Sequence, residues 1–398
     1  MRIAIISDCH FGFNEDALPQ AREAMLKALK LDADVILLPG DIYDIRIPRQ
    51  ETVKETIELY CEISNLSANA PDRREIEVFE KEGDLEKLQN IKGIPILAIW
   101  GTHERRGKGL ANIIQILDSA NLVLNFHTRT VLLKKNGKTV ALQGLGGVPE
   151  EYFRRTLEVG EFKPLKDAFN IFVFHQNLKE LLPVEREEDV AMDELPNGFQ
   201  LYVNGHIHWN HDLKIAGKRL IVSGSTVVTQ MKKNEEKQKG FYMFDSETEK
   251  AQFVQIDSRP FYFRELEFSN ATALEVEKTI DMEISKLLSG VHMKKPQIKL
   301  KLEGTLKNGE NLHLQIEKSL AKYNELALIY VDKNFETKEL KDRIEGIRRL
   351  RQDGRNAREM GMEILKEKLR QKGIVLDDPM ELFEMLAEGE IEAAIAKI

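Results

Sequence analysis

"YVNGHIHWNH", residues 202–211, places three histidines within six positions, directly after a run of strand-forming residues. The chain has 398 residues and only nine histidines in all. Alternation along a strand sends residues i and i+2 to the same side, so His206 and His208 can face one point. Moving outward, the same pattern recurs four times. "ISDCH" (6–10), "LPGDIYD" (38–44), "IWGTHE" (99–104) and "FVFHQN" (172–177) each end an apolar run in Asp or His. Five strand ends therefore deliver Asp8 and His10, Asp41, His103 with Thr102 before it, His175, and His206 with His208. In open α/β sheets that edge is where ligands bind.

The stretches carrying these ends read as buried strands: 2–7, 34–41, 93–101, 170–175 and 199–205. Helical periodicity at 16–30, 51–66 and 109–119 separates them, short strands fall near 122–144, and hairpin-like strands occupy 213–257. Strands alternating with helices, then a run of strands, predict an α/β layered core ending in mixed sheet. The charge-dense stretch 69–90 reads as a surface insertion, partly helical. Three regions are expected: a core over 1–260, a small α+β domain of order β-α-β-α-β over 264–333, and a highly charged helical tail over 336–398.

The composition, 42% hydrophobic and 31% charged, is that of a globular protein with large cores, and this length calls for two or three domains. No apolar run approaches membrane-spanning length and no leader-like segment opens the chain, so a cytoplasmic protein away from membranes is expected. Cys9 and Cys61 are too few for a disulfide framework. A net charge of −8 argues against a chain coated in nucleic acid, although it says nothing of local basic patches.

Seven nitrogen and oxygen donors exceed what one tetrahedral ion takes, and no cysteine pair accompanies them, so a structural zinc site does not fit. Mixed imidazole and carboxylate donors suit manganese, iron or zinc in a two-metal centre of the kind that serves phosphoryl displacement.

The order D-x-H, GD, G-T-H-E, H, GH-x-H resembles the calcineurin-like metallophosphoesterases. "FVFHQN", "NGHIH" followed by "SGSTVVTQ", "KGFYMFD" and "GTHERRGKG" are similar to the SbcD-type double-strand-break repair nucleases, the partners of an SMC-like coiled-coil ATPase. The resemblance covers residues 1 to about 260 and continues more loosely beyond. It implies a metallophosphoesterase β-sandwich flanked by helices, two manganese ions, and manganese-dependent 3′–5′ exonuclease and single-strand endonuclease activity on DNA. It also implies that Asp8, His10, Asp41 and His208 hold one ion and that Asp41, His175 and His206 hold the other. His103 would touch the scissile phosphate and help the leaving oxygen, with Glu104 holding its ring. The chain departs from the family at Thr102-His103-Glu104, where Asn-His-Asp is usual; a hydroxyl at Thr102 is a shorter, weaker ligand than the Asn carbonyl. Homodimerisation, through 51–66 or 109–119, is implied as well.

Around the site, Arg105, Arg106 and Lys108 lie where a phosphodiester backbone would pass. Lys232, Lys233, Lys237 and Lys239 are diluted by Glu235 and Glu236 and read as a solvated loop. His211 reads as a surface or outer residue, and Trp100 and Trp209 as walls. Two other functions stay open: a phosphatase or cyclic-nucleotide phosphodiesterase on the same centre, and a scaffold in which Thr102 has weakened catalysis. The residues that follow 260 exceed what a small substrate needs. In the tail, 336–372 carries 12 Lys/Arg against 8 Asp/Glu, while 377–398 carries 1 against 7. Leu340, Ile344, Ile347, Met362, Leu365 and Leu369 recur at helical spacing, and Asp378-Pro379 opens a last helix bearing Leu382, Phe383, Met385 and Leu386. Periodicity alone allows either a hairpin closed on itself or a partner-binding stripe; the resemblance favours the ATPase.

Overall fold

The computed structural model describes residues 1–69, 76–82, 84–87, 93–107, 109–182, 187, 189–307, 313–337, 362, 365–366, 369–370 and 379–388. It separates into two compact units, residues 1–263 with 292–298, and residues 264–291 with 299–398.

Two sheets form the larger unit. In the first, β1 (Arg2–Ile5), β2 (Val35–Pro39), β5 (Ile96–Ile99) and the short β6 (Leu124–Asn125) run parallel, with β13 (Gly240–Asp245) antiparallel beside β1 and β14 (Lys250–Gln255) antiparallel beside β13. In the second, β8 (Lys138–Leu145), β9 (Phe169–Phe174), β10 (Leu201–Asn204) and β12 (Lys218–Val222) run parallel. That sheet continues through β11 (His211–Ile215) at one edge and through β7 (Thr130–Lys135), β3 (Glu77–Glu82) and β4 (Asp84–Lys87) at the other.

Period-two alternation explains why the sheets stack. Ile3 and Ile5, Val35 and Leu37, Leu97 and Ile99 of one sheet meet Ile171, Val173, Leu201, Val203 and Ile221 of the other in a single dry layer. The intervening residues face outward. Ala4, Ile36, Leu38 and Ala98 pack under helices α1 (Ala17–Lys30), α2 (Gln50–Ala68) and α3 (Ile113–Ser119). Phe172, Phe174 and Tyr202 are covered by Phe153 of α4 (Glu150–Gly160) and by Met192 and Leu195. Strands apolar on both faces are what such a buried parallel sheet requires. The result is the expected sandwich with helices on its outer faces.

The structure corrects the expectation at 69–90. Its described part is strand rather than helix: β3 pairs β4 and lies antiparallel to β7, with Glu77 opposite Lys134 and Val78 opposite Leu133. Alternation in "IEVF" buries Val78, and Lys134 sits over the Phe79 ring at 4.6 Å. Charge density hid a short strand pair at the edge of the sheet.

The smaller unit holds most of the three-stranded sheet β15 (Phe261–Ala271), β16 (Gln297–Leu306), β17 (Leu328–Thr337), with α5 (Ala273–Leu287) and α6 (His313–Ala321) between its strands. Thr272 caps α5 in a reciprocal box with Glu275, and Val276, Ile280 and Ile284 form its buried face. β17 continues to Thr337, beyond the expected boundary at 333. Of the tail residues expected to form an apolar stripe, Leu340, Ile344 and Ile347 lie outside the described residues. Leu365, Leu369, Leu382 and Met385 pack on one another, the last two carried by α7 (Pro379–Glu388). No helix among the described residues is long and apolar enough to cross a membrane.

Candidate metal centre

Parallel β1, β2 and β5 end at the same edge as parallel β9, β10 and β12, and there the sheets are tied together. Ser223 Oγ donates to the Ile5 carbonyl at 2.8 Å, and Ser7 bridges Ser225. The turns leaving these strands are sharp. Asp8, His10, Asp41 and His206 all have positive φ, between 46° and 69°, a region non-glycine residues seldom occupy and which clusters at functional sites. Gly40, at φ +97°, and Gly101 let the backbone pass where a Cβ would strike His175 and Asp41.

The donors gather into two largely buried groups, Asp8 with His10 and His208, and Asp41 with His175 and His206, and a third, more open one of His10, Asp44 and His103, the ligand atoms of each lying within 4.8 Å of one another. In the first, His10 Nε2 is 3.2 Å from His208 Nε2, which is 3.5 Å from Asp8 Oδ1. In the second, His175 Nε2 is 3.1 Å from Asp41 Oδ2 and 3.3 Å from His206 Nδ1. Two imidazole nitrogens on one ion, each at about 2.1 Å, stand roughly 3.0–3.4 Å apart, so both groups fit a cation. The outward nitrogens of three of the four histidines are engaged in the way that orients a ligand ring: His175 Nδ1 lies 2.8 Å from the Pro39 carbonyl, His10 Nδ1 3.2 Å from Asp44 Oδ1 and His208 Nδ1 2.5 Å from Thr229 Oγ1.

Burial alone would lower the pKa of His175, but the Asp41 carboxylate outweighs it and holds the ring at about 9. His208 is likewise held at about 9, against burial, by Asp8 and Glu235. His206, buried and beside the His175 charge, falls to about 4. Asp8 and Asp41 lie below the usual carboxylate range despite burial, held there mainly by His208 and His175 respectively. At neutral pH the metal-free site thus carries two imidazolium–carboxylate pairs. The histidine part of this stability is present below about pH 6.5 and lost as pH rises to about 9; the aspartate part is lost on acidification below their ordinary value of 3.8. Cations bind the neutral rings, so divalent-metal affinity should rise from pH 6.5 to 9, with about two protons released per chain at pH 7. Calorimetry in buffers of different ionisation enthalpy measures that number. Release near zero would show that His175 and His208 are already neutral.

His103 sits at the mouth, its side chain 41% exposed, edge-on to the His10 ring at 4.9 Å. Its amide donates to Asp41 Oδ1 at 2.9 Å, and its Nδ1 is bonded to the Asp44 carbonyl. Glu104 does not hold that ring. Fully buried, it accepts from the Tyr43 and Gly101 amides at 2.6 and 2.7 Å, locking the β2 and β5 turns together, and burial followed by the Asp41 charge raises its pKa to about 7. The Thr102 hydroxyl lies 3.3 Å from Asp41 Oδ2. Arg105 and Arg106 are half-buried, and Arg105 Nη1 has no hydrogen-bond partner among the described residues; Lys108 lies outside them. His211 opens β11 half-buried, Trp209 packs under the second sheet, and Trp100 stacks on His127 at 3.7 Å.

Sequence reading missed Asp44, which serves His10 and His103 together, although "GDIYD" displays it three residues after Asp41. It also missed Thr229, Glu235 and Lys239 behind His208. Lys239 and Glu235, taken as part of a solvated loop, are buried and paired at 3.1 Å.

The chain belongs to the calcineurin-like phosphoesterase family, whose model matches residues 1–210. Among curated proteins it is 26% identical to the double-strand break repair protein MRE11 of Oryza sativa subsp. indica, over 67% of this chain and 44% of that one. It is 28% identical to the DNA double-strand break repair protein Mre11 of Sulfurisphaera tokodaii (68% of this chain, 66% of the relative), and 28% identical to human MRE11 (59% and 37%). The chain spans about half the length or less of its plant and human relatives, and about two thirds of the archaeal one.

Proposed function

We propose that this chain is a metal-dependent DNA nuclease acting in double-strand break repair, with manganese in both halves of the centre and both exonuclease and single-strand endonuclease activity. The observation that carries the reading is the pairing of two donor groups under one exposed, anchored histidine. Ions held by Asp8, His10, Asp41 and His208, and by Asp41, His175 and His206, would supply charge to the phosphoryl oxygens and acidify an attacking water. The protein's own part falls to His103. With Nδ1–H given to the Asp44 carbonyl, the Nε2 of this partly exposed ring, 3.9 Å from Asp41 Oδ2, can pass a proton to the leaving oxygen. Arg105, Arg106 and Lys108 follow directly and suit a phosphate backbone. The names of the relatives support DNA as the substrate.

The test compares manganese-dependent loss of a labelled 3′ end from linear DNA with hydrolysis of a generic aryl phosphodiester, alongside metal content. Cleavage of the aryl ester but not of DNA would favour a small-substrate phosphodiesterase; bound metal without either activity would favour a scaffold. Thr102→Asn, which extends a carbonyl where the hydroxyl now meets Asp41, should lower the manganese concentration for half-maximal activity several-fold. An unchanged requirement would place Thr102 outside the metal's reach.

The domain assignment follows: 1–260 as nuclease, 264–333 as a capping and DNA-binding domain, and the tail as the docking segment for a coiled-coil ATPase, by helix-in-groove contact. The packing of Leu369 on Leu382 suits a helical hairpin, which leaves Met380 and Leu386 of α7 exposed for a partner. Because β17 runs to Thr337, deletion should start after it. A chain lacking 338–398 should keep nuclease activity and lose co-purification with the ATPase; full-strength binding would end this reading. A homodimer through α2 and α3 is supported by exposed Leu66 and Ile116.

A further inference from the structure

The loop joining β12 to β13 closes around His208 from behind. Lys239 is buried, and its ammonium spends its three hydrogens on the His208 carbonyl at 2.9 Å, Ser225 Oγ at 2.8 Å and Glu235 Oε1 at 3.1 Å. Glu235 is equally buried. Its Oε1 also accepts from the Thr229 amide at 3.2 Å, and its Oε2 from the Gln230 amide at 2.8 Å. Thr229 in turn places its hydroxyl 2.5 Å from His208 Nδ1. The circuit is closed: Lys239 grips the main chain of His208, and Glu235, through Thr229, grips its ring.

A buried ion pair gives little net stability over apolar residues of the same volume, so stability alone does not account for one here. What it supplies is direction. The Glu235–Lys239 pair lies within one short loop turn, and every polar atom of both side chains is used, so neither group has another orientation open to it. With Nδ1 tied to Thr229, His208 is left with Nε2 turned to Asp8 and His10. Among the described residues no comparable clamp stands behind His175, whose Nδ1 is met by the Pro39 carbonyl.

We infer that Glu235 and Lys239 are positioning residues for the metal centre, fixing His208 and thereby setting the affinity of the Asp8–His10–His208 half far more than that of the Asp41–His175–His206 half. The inference rests on the two-metal reading above, and its readout is metal binding rather than DNA cleavage. The experiment is a manganese titration of the full chain, following free manganese by its electron paramagnetic resonance signal. The variants are the double change Glu235→Gln with Lys239→Met, which leaves no unpaired buried charge, and Thr229→Val and Thr229→Ser, which touch no charge. Partners of ligand histidines typically control about 10–100-fold in affinity. One binding step should weaken by that factor in the double variant and about 10-fold in Thr229→Val, and be kept in Thr229→Ser, while the other step changes by much less. Circular dichroism confirms that each variant is folded; should the double variant not be, the two Thr229 variants decide. Two unchanged steps, or two steps weakened equally together with a lower melting temperature, would overturn the positioning role. A wild-type chain that takes up no manganese would instead overturn the metal-centre reading itself.

Discussion

Asp41→Asn should remove manganese from the His175–His206 half, weaken it in the other half that Asp41 also serves, and cut phosphodiester hydrolysis by more than ~100-fold, since outer partners of a ligand alone are worth about 10–100-fold. Asp41 is the hub of the site. One oxygen accepts the His103 amide at 2.9 Å, the other lies 3.1 Å from His175 Nε2, and the Thr102 hydroxyl is within 3.4 Å of both. Asparagine keeps the side-chain shape and tolerates the left-handed backbone, so the metal-free fold should survive. It cannot supply the charge that holds His175 protonated, and the His175 pKa should drop from about 9 toward or below its ordinary range. Histidine NMR titration of the metal-free variant reads that shift directly. A variant with near-normal activity and an unmoved His175 would show that Asp41 is neither bridge nor counter-ion.

His103→Ala is the opposite case: chemistry should go while metal stays. The ring is outside both donor groups that hold Asp41 and Asp8, and its anchor is the backbone carbonyl of Asp44. A general acid typically contributes about 10²–10⁴-fold, and a loss of that size is expected with manganese stoichiometry unchanged. A substrate whose leaving group needs no proton, such as an aryl ester with an acidic phenol, should lose less than DNA does. An equal loss on both substrates would reassign His103 to phosphate binding, and full activity would remove it from the mechanism.

The layers of the fold were legible because the strands are apolar on both faces and are punctuated by Gly or Pro. Ile3, Val35 and Ile171 announce burial without reference to anything distant. The donors were legible for a related reason: each closes such a strand, so its position follows from local pattern. What escaped was held by contacts across the sequence. Asp44 looks like any turn aspartate until the fold brings His10 and His103 to it. Glu235 and Lys239 have the composition of a wet loop, and only the return of that loop over His208, 27 and 31 residues earlier by number (235 − 208 and 239 − 208), makes them interior. Glu104 was placed beside the correct turn but given the wrong partner, because sequence adjacency to His103 says nothing of two backbone amides from Tyr43 and Gly101. At 77–87 the alternation was present but outweighed by charge.

The left-handed backbone at Asp8, His10, Asp41 and His206 ties the chemistry of the site to its susceptibility to decay. Each of these residues holds a conformation that glycine adopts without penalty, so at each the substitution that destroys a ligand also relieves the chain. A population of this protein selected for heat resistance alone, with hydrolysis unmonitored, would accumulate glycine at His206 first, since Asp8, His10 and Asp41 face His208, Asp44 and His175 in contacts whose loss outweighs the relief. Relatives on this scaffold that have abandoned catalysis should carry the same scar, and a glycine at the equivalent of His206 would mark a chain in which the fold has outlived its work.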